Sequence, residues 1–447
     1  MLVHLQVADN IEKNRLKYLI DFIRSHPLCH DLIDFTYEKI DGIDLELFYG
    51  IPTSDGFFIP AQGHLLQKGS RPSNPFTSSS YNWKGKILYS VETEKKQASE
   101  FIVEKNFGFD VFESLFFHIS RYEEYFAPKE KLDKMGMFRQ DQLFLIKEGI
   151  EKIPVVDQLI LAFCEAIGIE MEPIKTSFVL THDIDKIHKY NSWVDLFKTM
   201  AWPVVFKYDL KQAYRNLVRF FKVSSGKMKD PYDSYDFLFL EKGRWKKKIV
   251  YFMAGGKSKY DLYDSYYKKA FKGLVLKVQK AGYEIGLHPS FETADNLRML
   301  MKEKKTIERE SSKRVKHSRQ HFLHFFPNKT SELIEKAGFK TDSSLGFTKR
   351  IGFRTGTGFE HHLYDFINEK AFDFQELPLV LMDSSLIHQT AGNMEEFRKQ
   401  LISFMQMNNK GTQITLNFHN STFDSTIKER KLLKSIYLEM EALVNSL

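Results

Sequence analysis

Hydrophobic and polar positions change period several times in the first 170 residues, so no single element type dominates there. Leu16, Leu19, Ile20 and Ile23 recur at helical spacing and predict a helix over 11–25. Short apolar runs predict strands over 45–49, 57–60 and 86–91. Two helices follow. One covers 109–125 and ends in Ser120-Arg-Tyr-Glu-Glu-Tyr125; the other covers 155–167, opened by Pro154 and closed at Gly168. After Glu172-Pro173 the pattern becomes an alternation of strand and helix, the signature of an α/β layer. Strands are predicted over 178–180, 248–253, 283–288 and 413–419, with a polar strand end over 315–321. Helices are predicted over 263–280, 294–314, 330–337 and 393–407. A terminal helix carries Leu433, Ile436, Met440 and Leu443 inward.

This change of pattern divides the chain into a smaller mixed α+β domain, 1–172, and an α/β domain, 173–447, interrupted by an insertion near 190–247. A length of 447 residues agrees with two cores rather than one. The 43% hydrophobic and 28% charged content is that of a globular protein. Cys29 and Cys164 form neither a metal-type spacing nor a disulfide framework. No apolar run of about 18 residues is present, and the N-terminus lacks the pattern of a signal peptide. A cytoplasmic location is expected. The net charge of +7 is modest for this length, and no nucleic-acid partner is expected. The insertion is the basic exception. It sets Lys207, Lys211, Arg215, Arg219 and Lys222 among Phe206, Tyr208, Tyr214, Phe220 and Phe221. Its plain reading is a surface helix; its sharper one is peripheral contact with an anionic membrane.

Chemistry gathers at strand ends. In Ser177-Phe-Val-Leu-Thr-His-Asp-Ile-Asp185 an apolar run leads into two carboxylates. Residues two apart on a strand face the same way, so Asp183 and Asp185 can approach one centre. Like charges that close call for a cation or a shared proton. His288, Arg319, His321 and His419 stand at three further strand exits. The set reads as a mononuclear metal site with an acid/base pair, suited to Zn²⁺ first and also to Co²⁺, Ni²⁺, Mn²⁺ or Fe²⁺. In the N-terminal half, His4, His26, His30, His64 and His118 show no ligand spacing. Arg121, Glu123 and Glu124 read as an ion-pair network or a domain contact.

These motifs resemble those of the polysaccharide deacetylases, the NodB-homology superfamily (carbohydrate esterase family 4), over roughly 175–447. Thr181-His182-Asp183-Ile184-Asp185 is similar to the family's Thr-Phe-Asp-Asp-Gly, with the Asp-x-Asp spacing of a subset. His288-Pro-Ser-Phe-Glu292 stands where His-x-x-x-His is usual. Arg319-Gln-His321 resembles the arginine motif, Asp342-Ser-Ser344 the fourth motif, and Leu416-Asn-Phe-His419 the final Leu-x-x-His. The resemblance implies a distorted (β/α) barrel. It makes Asp183 the catalytic base, His419 the general acid and Arg319 the group that orients Asp183, with Arg354 a second candidate for that role. It implies one divalent metal on Asp185, His288 and a third ligand, His321 or alternatively Glu292. His182, Arg354 and Asp342 are the expected substrate contacts. The implied reaction is hydrolysis of an N-acetyl group on a sugar or polysaccharide. Water deprotonated by Asp183 attacks the acetamide, and His419 protonates the leaving amine. The same centre would also serve another small amide or an O-acetyl ester. The altered second motif leaves open a degenerate module that binds glycan or scaffolds an assembly. The N-terminal half, notably its Ser-Arg-Tyr-Glu-Glu-Tyr run, resembles an accessory region of bacterial polysaccharide-biosynthesis proteins.

Overall fold

The computed structural model describes residues 1–447 except 64, 69–75, 173, 191–195, 198, 202–204, 206, 207, 241, 262–266 and 425, and only the backbone of 267–269. His64, Pro173, Phe206, Lys207 and the start of the helix predicted over 263–280 therefore lie outside the described residues.

The N-terminal region centres on β1 (Leu2–Val7), which the sequence reading did not assign. Its sheet runs β2 (Asp34–Thr36), β1, β3 (Leu45–Tyr49), β4 (Phe57–Ile59), β9 (Asn106–Phe107), β8 (Ile102–Val103). All neighbours in this sheet pair in parallel except β8 and β9. A second small sheet joins β5 (Ser80–Trp83), β6 (Lys86–Tyr89) and β7 (Ser99–Glu100). Helices Lys13–Ser25, Val111–Ile119 and Val155–Ala166 bury Leu16, Ile20, Phe116, Leu159 and Phe163 in one core. The single helix predicted over 109–125 is broken at Arg121, whose left-handed backbone (φ 57°) starts a separate turn, Tyr122–Tyr125.

The C-terminal region is a nine-stranded sheet. Its strands are β10 (Ser177–Ile184), β11 (Lys247–Met253), β12 (Glu284–His288), β13 (His317–Ser318), β14 (Thr341–Asp342), β15 (His361–Asp365), β16 (Lys370–Glu376), β17 (Leu381–Met382) and β18 (Gln413–His419). They are ordered β15-β16-β14-β13-β12-β11-β10-β18-β17, parallel throughout apart from the β15–β16 hairpin. Among the described residues no ladder closes the expected barrel. Instead the short run between β16 and β17 touches both sides of the gap: Leu377 N donates to Asp342 O, and Val380 N to Thr415 O.

Strand alternation sorts β10 into two faces. Phe178, Leu180 and Ile184 enter the large core beneath the helices. Val179 packs inward with Ile249, Tyr251 and Leu377, and Thr181 and Asp183 continue that inner face toward the strand end. Gly286, on the inner side of β12, faces Tyr251 across the ladder. A Cβ there would come within 2.4 Å of the tyrosine ring, so this glycine is what admits Tyr251.

The two regions interlock. Phe359, Tyr364 and Phe366 belong to the N-terminal core. Arg15 binds Glu369 through two hydrogen bonds of 3.0 and 2.7 Å. Deepest is Arg121–Glu124–Arg354. Arg121 and Arg354 both donate to the Glu124 carboxylate, and Arg121 also donates to Arg354 O. The Arg121 cluster is therefore a contact between the regions, as its sequence suggested. Burial alone would raise the Glu124 pKa; the two arginines hold it down at about 2.

Removing one member of such a buried network leaves uncompensated charge, at a cost on the order of 3–5 kcal/mol. Glu124→Gln should lower the urea midpoint of the whole chain. A depressed carboxylate pKa stabilises above the unfolded value, so the deficit relative to wild type should shrink as pH falls from 4.5 toward about 2. An unchanged midpoint at neutral pH would remove the network from any structural role.

Candidate metal centre

Four strand ends meet at one point. Arg319 follows β13 and is fully buried. Its guanidinium lies over the Tyr251 ring, 4.4 Å from the centroid. Nη1 donates to Thr181 Oγ1 (2.9 Å), Asp183 Oδ1 (2.9 Å) and Asn417 Oδ1 (2.8 Å), while Nε and Nη2 donate to Ser343 O and Oγ. Asn417 Nδ2 donates to the other Asp183 oxygen at 2.8 Å. Burial works against the Asp183 charge, but Arg319 and the neighbouring histidines hold its pKa below the ordinary carboxylate value. The expected arginine–aspartate pair is thus present, and Arg319 rather than Arg354 makes it.

His419 ends β18. Its Nδ1 and backbone N both reach Asp383, at 2.6 and 2.7 Å, and its Nε2 stands 3.9 Å from Asp183 Oδ2. Burial would lower the His419 pKa; Asp383 first, then Asp185 and Asp183, push it up to about 10. Asp383 was missed from sequence, although Leu379-Val-Leu-Met-Asp383 carries the same apolar-run-then-carboxylate signal that marked Asp183.

Asp185, His288 and His321 bring one ligand atom each within 4.8 Å of one another. The outer ring nitrogen of each histidine is committed elsewhere. His288 Nδ1 lies 2.6 Å from Arg319 O, a carbonyl that can only accept, so this nitrogen carries a proton and Nε2 is the atom turned to the centre. His321 Nδ1 lies 3.3 Å from Asp261 Oδ1, which leaves Nε2 for the centre. Asp185 Oδ1 is buried with no hydrogen-bond partner, although His288 Nε2 is only 3.3 Å away. A carboxylate oxygen and an imidazole nitrogen this close suit a shared cation, either a proton on Nε2 or a divalent metal. A carboxylate and two imidazoles are a donor set for Zn²⁺ or its first-row neighbours. Asp261, the second omission from the sequence reading, lies in a loop after β11 that no strand-end pattern marks.

The remaining expected positions fall elsewhere. Glu292 is exposed on the turn Phe291–Asp295 and outside the ligand cluster, so His321 takes the third place. His182 faces away from Asp183, against Phe239 and Tyr283, with Nδ1 on Phe418 O; alternation along β10 requires this. Asp342 is buried beneath the site, where burial raises its pKa to about 6 despite hydrogen bonds from Ser318 and Ser344. Arg354 borders the cleft but spends its guanidinium on Glu124 and Gly346 O. The cleft over the centre has a volume of about 1060 Å³ and takes lining residues from both regions of the chain.

A family of unknown function, DUF7033, matches residues 5–171. No curated protein is similar to the chain at a significant level. Among solved structures, a protein of Mycobacterium smegmatis described as a polysaccharide deacetylase aligns over 60% of this chain and 85% of its own at 17% identity, TM-score 0.35. A pseudoenzyme of carbohydrate esterase family 4 from Bacillus anthracis aligns over 61% and 63% at 8% identity, TM-score 0.29. A GH57 branching enzyme from Thermococcus kodakaraensis aligns over 61% and 68% at 10% identity, TM-score 0.32. Similarity this distant leaves the chemistry to be read from the site itself.

Purified protein should take up about one divalent metal per chain. Asp185→Ala, His288→Ala and His321→Ala should lose it, and Glu292→Ala should keep it. Asp183 and Asp185 raise the His288 pKa against the effect of burial, so proton and metal compete for Nε2 and affinity should rise with pH through the histidine range. Metal analysis of the variants across pH checks both. Metal retained in His321→Ala would break the assignment.

Proposed function

We propose that this protein is a metal-dependent hydrolase that removes N-acetyl groups from an N-acetylated sugar or polysaccharide. The observation that carries the reading is the pairing of two opposite proton-transfer groups beside one ligand triad. Asp183 is kept ionised by Arg319, and 3.9 Å away His419 is kept protonated by Asp383. Groups whose surroundings push their pKa values apart are the usual basis of acid and base assignments.

A divalent cation, zinc by preference, would polarise the acetamide carbonyl and acidify a water when bound to Asp185, His288 and His321. The chain's own groups supply the rest. Asp183 accepts the proton of the attacking water, and Arg319 and Asn417 fix the orientation of its two oxygens. His419 Nε2 delivers a proton to the departing nitrogen, while Asp383 holds its Nδ1 and ring plane. The C–N bond breaks, a C–O bond forms, and acetate and a free amine result.

Each proton-transfer group should contribute on the order of 10²–10⁴ in rate. Asp183→Asn and His419→Asn should each lower kcat for acetate release by that factor while binding metal as wild type does. Equal turnover by wild type and Asp183→Asn would refute the base. Glycan binding without acetate release from any N-acetylated or O-acetylated substrate would favour a binding module.

A further inference from the structure

The segment 132–141 belongs to the N-terminal region, yet it lines the cleft over Asp183, Asp185 and His419. It is held there from several directions. Phe138 and Leu143 pack with Phe347 in a small core of their own. Gln140 Oε1 accepts from Thr348 N at 3.2 Å, and Asp133 ties the turn through the backbone N of Met135 and Met137. Beneath it, Glu124 is locked to Arg354. The segment is therefore a fixed wall of the cleft.

The charges around this cleft are unbalanced. Arg139 is matched by Asp141, Arg354 by Glu124, and Arg350 faces Glu151 at 3.8 Å. Lys134 on the wall, Lys349 in the loop after β14 and Arg430 after β18 also line it, and among the described residues no carboxylate lies within ion-pairing distance of any of them. Inside the cleft, Asp183 is matched by Arg319, and a divalent cation would match Asp185. Three cations from three separate segments are left facing one opening, against a single remaining carboxylate, Asp133, whose Oδ1 accepts from the backbone N of Met135 and Met137.

We propose that the N-terminal region completes the substrate site, and that Lys134, Lys349 and Arg430 select an N-acetylated glycan bearing anionic groups. This rests on the hydrolase reading above. Such groups would be carboxylates of neighbouring uronic acids or phosphates of a carrier. Contacts of this kind weaken with salt.

The test is calorimetric binding to full-length Asp183→Asn protein with one equivalent of zinc, so that turnover does not consume the ligand. The probes are a hyaluronan tetrasaccharide, UDP-N-acetylglucosamine and neutral chitotetraose. The expected result is tighter binding of an anionic probe than of chitotetraose, with that preference cut on the order of tenfold by Lys134→Glu with Lys349→Glu. Lys399→Glu, on the exposed side of helix Met394–Met407, is the charge control and should not change the preference. Tighter hyaluronan binding identifies uronate as the anion; tighter UDP-N-acetylglucosamine binding identifies phosphate. Equal affinities, no binding of either anionic probe, or the same loss in the control would overturn the proposal. Salt-sensitive anionic binding that depends on Lys134 and Lys349, with no acetate released by wild type, would sink the hydrolase reading and leave the composite cleft standing.

A separate observation concerns helix Leu210–Ser224 in the insertion. At about 100° per residue, Leu210, Tyr214, Val218 and Phe221 fall in one stripe, and Lys211, Arg215 and Lys222 in a second beside it. The first stripe faces outward: Leu210 is 71% exposed, Tyr214 67% and Phe221 51%, and Tyr208 just before it is 89% exposed. The opposite side buries Ala213, Asn216 and Phe220, and the helix holds no carboxylate. We infer that this face lies on an anionic lipid surface, where the rings enter the interface and the cations meet headgroups. Wild type should pellet with phosphatidylglycerol-containing vesicles and not with phosphatidylcholine alone. Lys211→Glu with Arg215→Glu, and separately Tyr214→Ser with Phe221→Ser, should each abolish pelleting. No pelleting of wild type, or pelleting that survives both changes, would overturn the inference.

Discussion

The buried Arg319–Asp183 pair is the constraint around which the C-terminal region is arranged. Neither charge could be held in that interior alone, since an uncompensated ion there costs several kcal/mol. Paired, they dictate their surroundings. Thr181, Asn417 and Ser343 must present oxygen to the guanidinium, which ties β10, β18 and the end of β14 to one side chain. Tyr251 must lie flat beneath it, and Gly286 must be small for that ring to fit. A lysine carries its three donors on one nitrogen and could not reach partners spread over Nε, Nη1 and Nη2. The same arginine's carbonyl fixes the tautomer of His288, so charge pairing and metal-ligand geometry share one residue.

A second buried arginine system does comparable work between the two regions. Arg121 and Arg354 converge on Glu124, and Arg354 sits at the cleft's edge. The N-terminal region therefore does not hang from a linker. Its core takes Phe359, Tyr364 and Phe366 from around the β15–β16 hairpin, and its segment 132–141 enters the cleft wall. Sequence patterning separates the chain at 172 because local periodicity changes there. The packing does not respect that point, because contacts made 230 residues apart leave no local trace.

What could be read from sequence was what strand alternation and strand exits reveal. Asp183, Asp185, His288, Arg319, His321 and His419 all lie where those rules place them, and the structure brings them together. What could not be read was polar or remote. β13 and β14 are two residues each, His317–Ser318 and Thr341–Asp342, and show no apolar run because their side chains serve buried hydrogen bonds. Glu376, buried at the end of β16, breaks the alternation that Phe372 and Phe374 begin. The outer partners of the histidines divide the same way: Asp383 closes an apolar run, whereas Asp261 reaches His321 across 60 residues from a loop.

Strand geometry decides which histidine stands beside His288. A second histidine four residues after His288 would lie at Glu292, on a turn that the chain here leaves exposed. The second imidazole of the candidate set stands instead at the neighbouring strand exit, where His321 N is hydrogen-bonded to Pro289 O and its ring centre stands 5.1 Å from that of His288. This exit carries unusual backbone: Phe322 and Leu323, directly after His321, both adopt positive φ, 60° and 52°. Left-handed conformations in bulky residues are unfavourable by about 1–3 kcal/mol each and persist where surrounding structure enforces them. Here the Asp261 hydrogen bond and the stacking of Phe291 on His324, with ring centres 3.8 Å apart, fix the chain on either side of the turn. The strain falls directly after His321, one of the three side chains whose ligand atoms converge on the candidate centre.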